Sequence, residues 1–224
     1  MDKGLTLMDA KSKFLAQYVV TQIATYFPDG FNIKSVILEN IQIALQRTEQ
    51  CISSIIAWRD TGFNYLVSGQ YATFLYFLSN CIAKDPADVD AATRIFLLNK
   101  ALNGIDLFYE IEMPQHFLIG HTVVMVFVKA TYGNYCVFHQ GCTVGRNRLH
   151  RPILGDGVVM FPGSMIIGKC HVRENTVLTP GTTLINTDTP GNCYVFLGKN
   201  GRPIFKKLGR YYAEEYFGRS DSVK

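Results

Sequence analysis

The stretch that decides the fold runs from Leu154 to Leu184 and reads LGDGVVMFPGSMIIGKCHVRENTVLTPGTTL. Steps of six residues through it reach a large aliphatic side chain each time: Leu154, Met160, Ile166, Val172, Leu178 and Leu184. The residues four places later are small or β-branched except for the last: Val158, Ser164, Cys170, Thr176, Thr182 and Asp188. The chain therefore contains an internal repeat of six residues.

The same repeat continues upstream, where Val126, Tyr132, Phe138 and Val144 follow one another at six-residue steps. The two runs differ in phase by four residues, and we attribute the slip to a short excursion between Arg146 and Pro152. Apolar residues at all ten positions are hard to obtain by chance in a chain that is 48% hydrophobic. A β-sandwich would instead alternate with a period of two.

A six-residue period has a physical cause in a triangular prism, in which three hexads make one turn and each side is a short parallel strand. One large aliphatic residue per side fills the interior, and a small residue fits near each corner. The corners favour Gly and Asn, which tolerate left-handed backbone angles. The repeat therefore predicts a parallel β-solenoid in which each coil stacks on the next.

The chain before residue 107 has a different period, because its apolar residues recur at helical spacing. The clearest examples are Phe14, Tyr18, Val19, Ile23, Phe74, Phe77, Leu78, Ile95, Leu98 and Leu102. Turn residues separate the helical stretches at Pro28–Gly30, Asp60–Gly62 and Lys84–Pro86. We predict an α+β protein with four or five helices in residues 1–106, serving as a cap and oligomerisation domain, followed by the solenoid in residues 107–224.

The charge, the apolar runs and the cysteines of the chain argue against several classes of function. The 224-residue chain has a net charge of only +4 and no dense block of Lys and Arg, which argues against nucleic acid as a partner. It has no apolar run of about 18 residues, so we expect no membrane span. The first residues lack the apolar core of a signal peptide, and the six cysteines form no C-x-x-C pair, so we expect a cytoplasmic protein with reduced thiols.

The repeat region resembles the serine acetyltransferases, a family of hexapeptide-repeat enzymes. The stretch FHQGCTVG from Phe138 to Gly145 is similar to their signature, in which a Gln-containing hexad leads to Thr, an aliphatic residue and Gly. Pro152–Val158, followed by Ile166–Gly168, has matching spacing. The resemblance covers roughly residues 107–200, and the chain is at least as similar to hexapeptide acetyltransferases of surface-polysaccharide synthesis. It implies helices followed by a left-handed β-helix with a short C-terminal helix, and acetyl-CoA as co-substrate.

Acetyl transfer from a thioester to an alcohol needs a base for the hydroxyl proton and donors for the tetrahedral oxyanion. Histidine suits the base, because its ordinary pKa is about 6.5. The resemblance assigns this role to His121, offset by one residue from the family pattern. A carboxylate should orient the imidazole, and the candidates are Glu112 and Glu110. We prefer Glu112, since the family places an acidic residue shortly before a proline, here Pro114.

The resemblance also implies acceptor-binding residues. In the family an Arg-His-Pro run closes the loop that matches the excursion, whereas this chain has His150, Arg151 and Pro152 in swapped order. We assign His150 and Arg151 to the acceptor site, with a solvated basic loop as the alternative. The swap and the shorter loop slightly favour an acceptor other than serine. Asp85, in an Asp-Pro-Ala turn, is a further candidate, although such a turn is also typical of a helix start.

The co-substrate is predicted to lie along the solenoid between two subunits. Gly145, Gly163 and Gly181 are candidates for close approach of the pantetheine arm, and Lys206, with Lys199 and Lys207, for the phosphates. His139 lies one coil after His121, and we assign it to the cofactor site because it should line the same cleft. The spacing of His116 and His121 also resembles that of zinc-binding histidines in γ-class carbonic anhydrases. Those enzymes have a third zinc-binding histidine well upstream, and this chain has no histidine before His116, so we expect no metal.

The sequence therefore predicts an acetyl-CoA-dependent O-acetyltransferase acting on L-serine or a related small acceptor. A sugar O- or N-acetyltransferase is the alternative, and a scaffold without catalytic activity is disfavoured by His121 and the nearby glutamates. We expect a homotrimer, possibly paired into a hexamer, because a groove shared by two chains gives the co-substrate its second wall.

Overall fold

A computed structural model describes residues 9–218 of the chain and places helices first and strands second. The change occurs at Gly104, whose left-handed φ of 60° ends the fourth helix directly before the first strand. The α-helices are α1 (Ala10–Tyr26), α2 (Lys34–Ser53), α3 (Ser68–Ile82), α4 (Val89–Asn103) and the short C-terminal α5 (Glu214–Phe217), with one 3-10 turn at Pro86–Asp88.

The helical half has the breaks that the sequence predicts, since all three turn segments lie between helices. Asp9 caps α1 by accepting a hydrogen bond from the backbone N–H of Ser12 at 2.6 Å. Helix α3 is the centre of this half, because every residue from Gly69 to Ile82 is buried. A helix buried on all sides needs neighbours on all sides, and α3 packs between α2, α4 and the first coil of the solenoid.

The second half is a β-solenoid of three sheets. Sheet A contains β1, β3, β6, β9 and β12, sheet B contains β2, β5, β8, β11, β13 and β14, and sheet C contains β4, β7 and β10. All pairs are parallel except β13 with β14. The strands are β1 Ile105–Leu107, β2 Phe117–Ile119, β3 Met125–Phe127, β4 Thr131–Tyr132, β5 Cys136–Phe138, β6 Thr143–Gly145, β7 Ile153–Leu154, β8 Val159–Met160, β9 Met165–Ile167, β10 His171–Val172, β11 Thr176–Leu178, β12 Thr183–Ile185, β13 Cys193–Leu197 and β14 Pro203–Lys207.

The predicted repeat is confirmed at nine of its ten positions. All six residues from Leu154 to Leu184 are buried, as are Tyr132, Phe138 and Val144. The prediction for Val126 is wrong: its side chain is 38% exposed, and Phe127 instead pairs with Val144 and faces the interior. The reason is that only five residues separate Phe127 from Tyr132, so the six-residue step fails at this point.

The predicted excursion is also confirmed by the pairing of strands. Val159 pairs with Val177, 18 residues later, whereas Val137 pairs with Val159, 22 residues later. The four additional residues lie between β6 and β7, in the segment from Arg146 to Pro152.

The buried core is continuous from the helices into the solenoid, so the two halves pack as one unit around α3. The domain limits at residues 1–106 and 107–224 stay a prediction, and residues 1–8 and 219–224 lie outside the described part. The outer face of sheet B is covered by Ile55 and by the C-terminal segment, which includes Leu208 and Tyr216. None of the helices between residues 9 and 218 is long and apolar enough to span a membrane.

Candidate active site

A cleft of about 470 Å³ lies where the chain turns from sheet B to sheet A in the first coil. We call this turn, residues 120–124, the first corner. The cleft has three walls: the first corner with the coil below it, the connection between α2 and α3, and helix α5. Its lining residues are Ile55, Ile56, Ala57, Trp58, Val67, Ser68, Gly69, Leu118, Gly120, His121, His139, Glu215 and Tyr216.

His121 projects from the first corner because this corner is longer than those below it. Eight residues separate the inward-facing Ile119 and Phe127, whereas six separate their strand partners Phe138 and Val144. The two additional residues form a bulge in which His121 has a left-handed φ of 56°. This angle is uncommon outside glycine, and within the bulge the carbonyl oxygen of His121 accepts a hydrogen bond from Val123 N–H at 2.8 Å. The imidazole is exposed to the cleft.

His139 occupies the corner one coil below and is held on two sides. Its ring stacks on Phe161, with centroids 5.2 Å apart and planes 10° apart. Its Nε2 atom lies 3.1 Å from the hydroxyl of Tyr216 in α5. Burial lowers the pKa of His139 below its ordinary value, and the positive charge that His121 can carry lowers it further. The ring is therefore neutral at pH 7.

The opposite wall depends on Gly69, the second residue of α3. A Cβ atom at this position would lie 2.5 Å from the carbonyl oxygen of Ile119 and 3.0 Å from the ring of Trp58. Glycine therefore allows α3 to approach β2 closely and fixes the tip of Trp58, the only tryptophan of the chain, beside the first corner.

The glutamates expected to orient His121 form other contacts. Glu112 pairs with Lys84 at 2.6 Å, and Glu110 pairs with Lys129 at 3.1 Å; both carboxylates are more than half exposed. Within residues 9–218 no hydrogen bond to the His121 side chain is present. Asp106 is an acidic residue that sequence reasoning missed. It lies in β1, which pairs with β3 after the first corner, but its carboxylate likewise pairs with a lysine, Lys100, at 2.6 Å.

Asp85 lies at the opposite end of α3 from the cleft. It caps the 3-10 turn by accepting a hydrogen bond from Ala87 N–H at 2.9 Å. Seventeen residues separate it from Ser68 at the cleft, which corresponds to about 25 Å along a helix with a rise of about 1.5 Å per residue. Within one chain, Asp85 and His121 are not brought together.

His150 and Arg151 lie on a different edge of the prism, where the excursion passes from sheet A to sheet C. We call this excursion, residues 146–152, the second corner. His150 is exposed and lines an open cavity of about 450 Å³ with Asn147, Arg148, Lys169 and Asn186. Arg151 is exposed as well. The second corner therefore presents basic groups to solvent, but not to the cleft of the same chain.

The predicted co-substrate residues are spread along the solenoid. Gly163 and Gly181 lie directly below the first corner in successive coils, both with φ of 70°. Their N–H groups donate to the carbonyl oxygens of Gln140 and Pro162 at 3.0 Å, so they offer an open surface and no free donor. Gly145 lies in β6 of sheet A, and Lys206 lies exposed in β14.

Tyr216 is a cleft residue that sequence reasoning missed, because it is 77 residues from the histidine that it contacts. The short C-terminal helix that the resemblance implies is present as α5, but its position against His139 follows from packing on sheet B. Among residues 9–218 there is no cluster of three metal-ligating side chains, and His116 instead stacks on Tyr135 at 5.4 Å.

Curated proteins similar to this chain are serine acetyltransferases. That of Synechococcus elongatus is 28% identical over 114 residues, which are 49% of this chain and 46% of the relative. That of Staphylococcus epidermidis is 23% identical over 126 residues, 54% of this chain and 58% of the relative. The chain thus spans about half the length of the curated relatives it matches. No protein-family model matches it.

Solved structures similar to this fold are serine acetyltransferases too. That of Neisseria gonorrhoeae has a TM-score of 0.71 at 16% identity and covers 97% of this chain and 86% of its own. The same enzyme in complex with serine has a TM-score of 0.66 at 18% identity and covers 88% and 84%. The predicted resemblance is therefore confirmed: in its repeat and its fold this chain is serine acetyltransferase-like.

Proposed function

We propose that the chain is an acetyl-CoA-dependent O-acetyltransferase that uses His121 as general base on a small hydroxyl acceptor, with L-serine as the first candidate. The observation that carries the proposal is the position of His121 on a bulged corner at the rim of the cleft. A histidine exposed to a cleft can accept a hydroxyl proton near neutral pH. The fold and the serine acetyltransferase relatives support the reaction class.

The reaction needs no covalent intermediate on the protein, because the thioester is already activated. The acceptor oxygen attacks the carbonyl carbon of the thioester while His121 takes the hydroxyl proton. The carbon–sulfur bond then breaks, and His121 returns the proton to the leaving thiolate. A carboxylate behind His121 would stabilise the imidazolium. We keep Glu112 for this role and add Asp106, whose strand borders the segment that follows His121; either carboxylate would exchange its lysine partner for the imidazole.

We place the co-substrate along the edge of the prism below the first corner. Gly141, Gly163 and Gly181 form a column in successive coils, and a Cβ atom at Gly181 would meet no atom within 4 Å. A pantetheine arm in this groove would place its thioester near His121. The groove has only one wall in a single chain, and we propose that a neighbouring copy supplies the other.

A trimer is part of the proposal, since sheet A exposes apolar side chains that a neighbour would cover. Val126, Met165 and Ile185 face outward on this sheet and are 38%, 37% and 54% exposed, beside Val123 and Val124 of the first corner. A row of this kind is typical of an interface between subunits. We also place the protein in the cytoplasm, because its substrate is an intracellular thioester and all six cysteines are free.

The acceptor is L-serine or, as the alternative, a sugar. The basic second corner favours an acceptor with a carboxylate, which Arg151 could bind in a neighbouring subunit. A sugar is the alternative because the cleft beside His121 contains Trp58 and several aliphatic side chains, against which a sugar ring could pack.

The test is a thiol-release assay with acetyl-CoA and either L-serine or a panel of methyl glycosides and nucleotide sugars. We expect His121→Asn to lower turnover by at least about 10²-fold, the usual contribution of a general base. His171→Asn is the matched control, because His171 is exposed in β10 on another sheet. Release with serine supports the first acceptor and release with sugars alone supports the second; an unchanged rate in His121→Asn would remove His121 from its role.

A further inference from the structure

The cleft contains a second imidazole, that of His139, to which the proposed reaction assigns no role. His139 presents its two ring nitrogens to different surroundings: Nε2 contacts the hydroxyl of Tyr216, and Nδ1 faces Gly120. A Cβ atom on Gly120 would lie 3.5 Å from Nδ1. Because residue 120 has no side chain, Nδ1 is open to the cleft directly beside His121.

Tyr216 can select which nitrogen of His139 carries the proton, because its hydroxyl lies at hydrogen-bond distance from Nε2 and can donate to it. Burial raises the pKa of Tyr216 to about 12, so the phenol keeps its proton at neutral pH. A phenol that donates to Nε2 leaves the proton of the neutral imidazole on Nδ1. Stacking on Phe161 then holds the ring in the plane in which Nδ1–H is directed toward the cleft.

We propose that His139 donates a hydrogen bond from Nδ1–H to the oxyanion of the tetrahedral intermediate, and that Tyr216 is the positioning residue that selects this tautomer. The inference rests on the proposed acetyl transfer. When the acceptor oxygen attacks, the thioester carbonyl oxygen becomes negative, and it loses that charge when the carbon–sulfur bond breaks. His139 stabilises the charge in between without gaining or losing a proton. The half-buried ring suits this role because it stays neutral and therefore does not compete with His121 for the acceptor proton.

The proposal predicts a difference between two amides at residue 139. The side-chain nitrogen of Asn superimposes on the Nδ1 position of histidine, and that of Gln superimposes on Nε2. We therefore expect His139→Asn to keep kcat within about tenfold of wild type, and His139→Gln to lose about 10²-fold, the scale of one oxyanion donor. The KM for acetyl-CoA should change less than about twofold in both, because the contact forms only in the transition state.

Two further variants distinguish hydrogen-bond donation by His139 from a purely structural role of its ring. Gly120→Ala places a methyl group in ordinary contact with Nδ1, so it should lower kcat by about tenfold or more without lowering the melting temperature. Tyr216→Phe removes the selection of the tautomer. It should lower kcat in the wild-type background but have no further effect in His139→Asn, because an amide has no tautomers.

The tautomer is measured directly by two-bond proton–nitrogen NMR correlation on the nitrogen-15-labelled full chain, with the His139 signals assigned by their loss in His139→Asn. A proton on Nδ1 that moves partly to Nε2 in Tyr216→Phe supports the proposal. A proton on Nε2 in the wild type overturns it. Equal rates in His139→Asn and His139→Gln overturn it as well, whether both are high or both are low.

Wild-type protein and His121→Asn are assayed in the same series, so that two failures can be told apart. If wild-type protein releases no thiol with any acceptor, the proposed function itself fails. If His121→Asn abolishes release while His139→Gln does not reduce it, the acetyltransferase proposal stands and only the role of His139 is lost.

Discussion

The two corners of the solenoid that depart from the regular coil differ in what surrounds them. The first corner has two additional residues and is enclosed by the α2–α3 connection and by α5, so that one chain builds a cleft around His121. The second corner has four additional residues and remains open, with Leu149 93% exposed. Insertions of similar size thus produce a cleft only where other elements of the same chain pack over them. We propose that a neighbouring copy completes the second corner.

The largest expected effect tests whether the two corners meet in an assembled site. Arg151→Ala should raise the acceptor KM by about tenfold or more, since a charge-assisted hydrogen bond contributes about 1.5–3 kcal/mol. If the first corner of one chain meets the second corner of another, particles that combine Arg151→Ala and His121→Asn chains contain some sites with both residues intact. We expect activity at low acceptor concentration to reappear when the two variants are co-expressed.

The control for this complementation is a mixture of the two variants purified separately, in which subunits have not exchanged. Recovery in the co-expressed sample alone would establish a shared site. Native mass spectrometry would identify particles that contain both variants. If such particles recover no activity, each chain works by itself and the second corner serves another purpose.

A smaller effect concerns the packing that encloses the first corner. Gly69→Ala places a methyl carbon 2.5 Å from the carbonyl oxygen of Ile119, and the backbone of either α3 or β2 must shift. Overpacking of this kind costs about 1–3 kcal/mol, which urea unfolding followed by circular dichroism would measure. Gly209→Ala is the matched control, because a Cβ atom there meets nothing within 4 Å. Equal stability of the two variants would show that the wall of the cleft adapts easily.

The same contrast explains what could be predicted from the sequence. The solenoid follows from a period of six, because each inward position of each coil repeats the same steric demand; Leu154, Met160 and Ile166 are all buried as predicted. The prediction failed at Val126, where a shortened step changes which residue faces inward. A period cannot locate such irregularities, and it is the irregular corner that carries His121.

The surroundings of the candidate site depended on contacts between distant parts of the chain. Sequence reasoning placed His121 and His139 in one cleft, and both line it. It did not predict Tyr216, because nothing local in a tyrosine-rich C-terminal segment indicates which side chain will reach His139. It also placed Asp85 at the acceptor by a three-residue resemblance, although the length of α3 separates this residue from His121 within the chain.

The smallest expected effect is the contribution of His139, which lies in the coil below the first corner, to the pH dependence of stability. The pKa of His139 is lowered in the folded protein by burial and by the charge of His121. Above the ordinary pKa of about 6.5 the ring is neutral in both folded and unfolded chains, so the free energy of unfolding is unaffected. Below it the unfolded chain binds a proton that the folded chain binds only at lower pH, and stability falls as pH decreases through this window.

His139→Asn should therefore reduce the loss of stability between about pH 6.5 and pH 5, as measured by urea unfolding at intervals of pH. The groups that face His139 in the cleft, His121, Glu215 and Tyr216, are retained in this variant, so the comparison isolates the imidazole. His150→Asn is measured alongside as a histidine replacement at an exposed position of the second corner. An identical pH slope in wild type and His139→Asn would mean that the folded protein accommodates a charged His139, which would also weaken its case as a neutral donor.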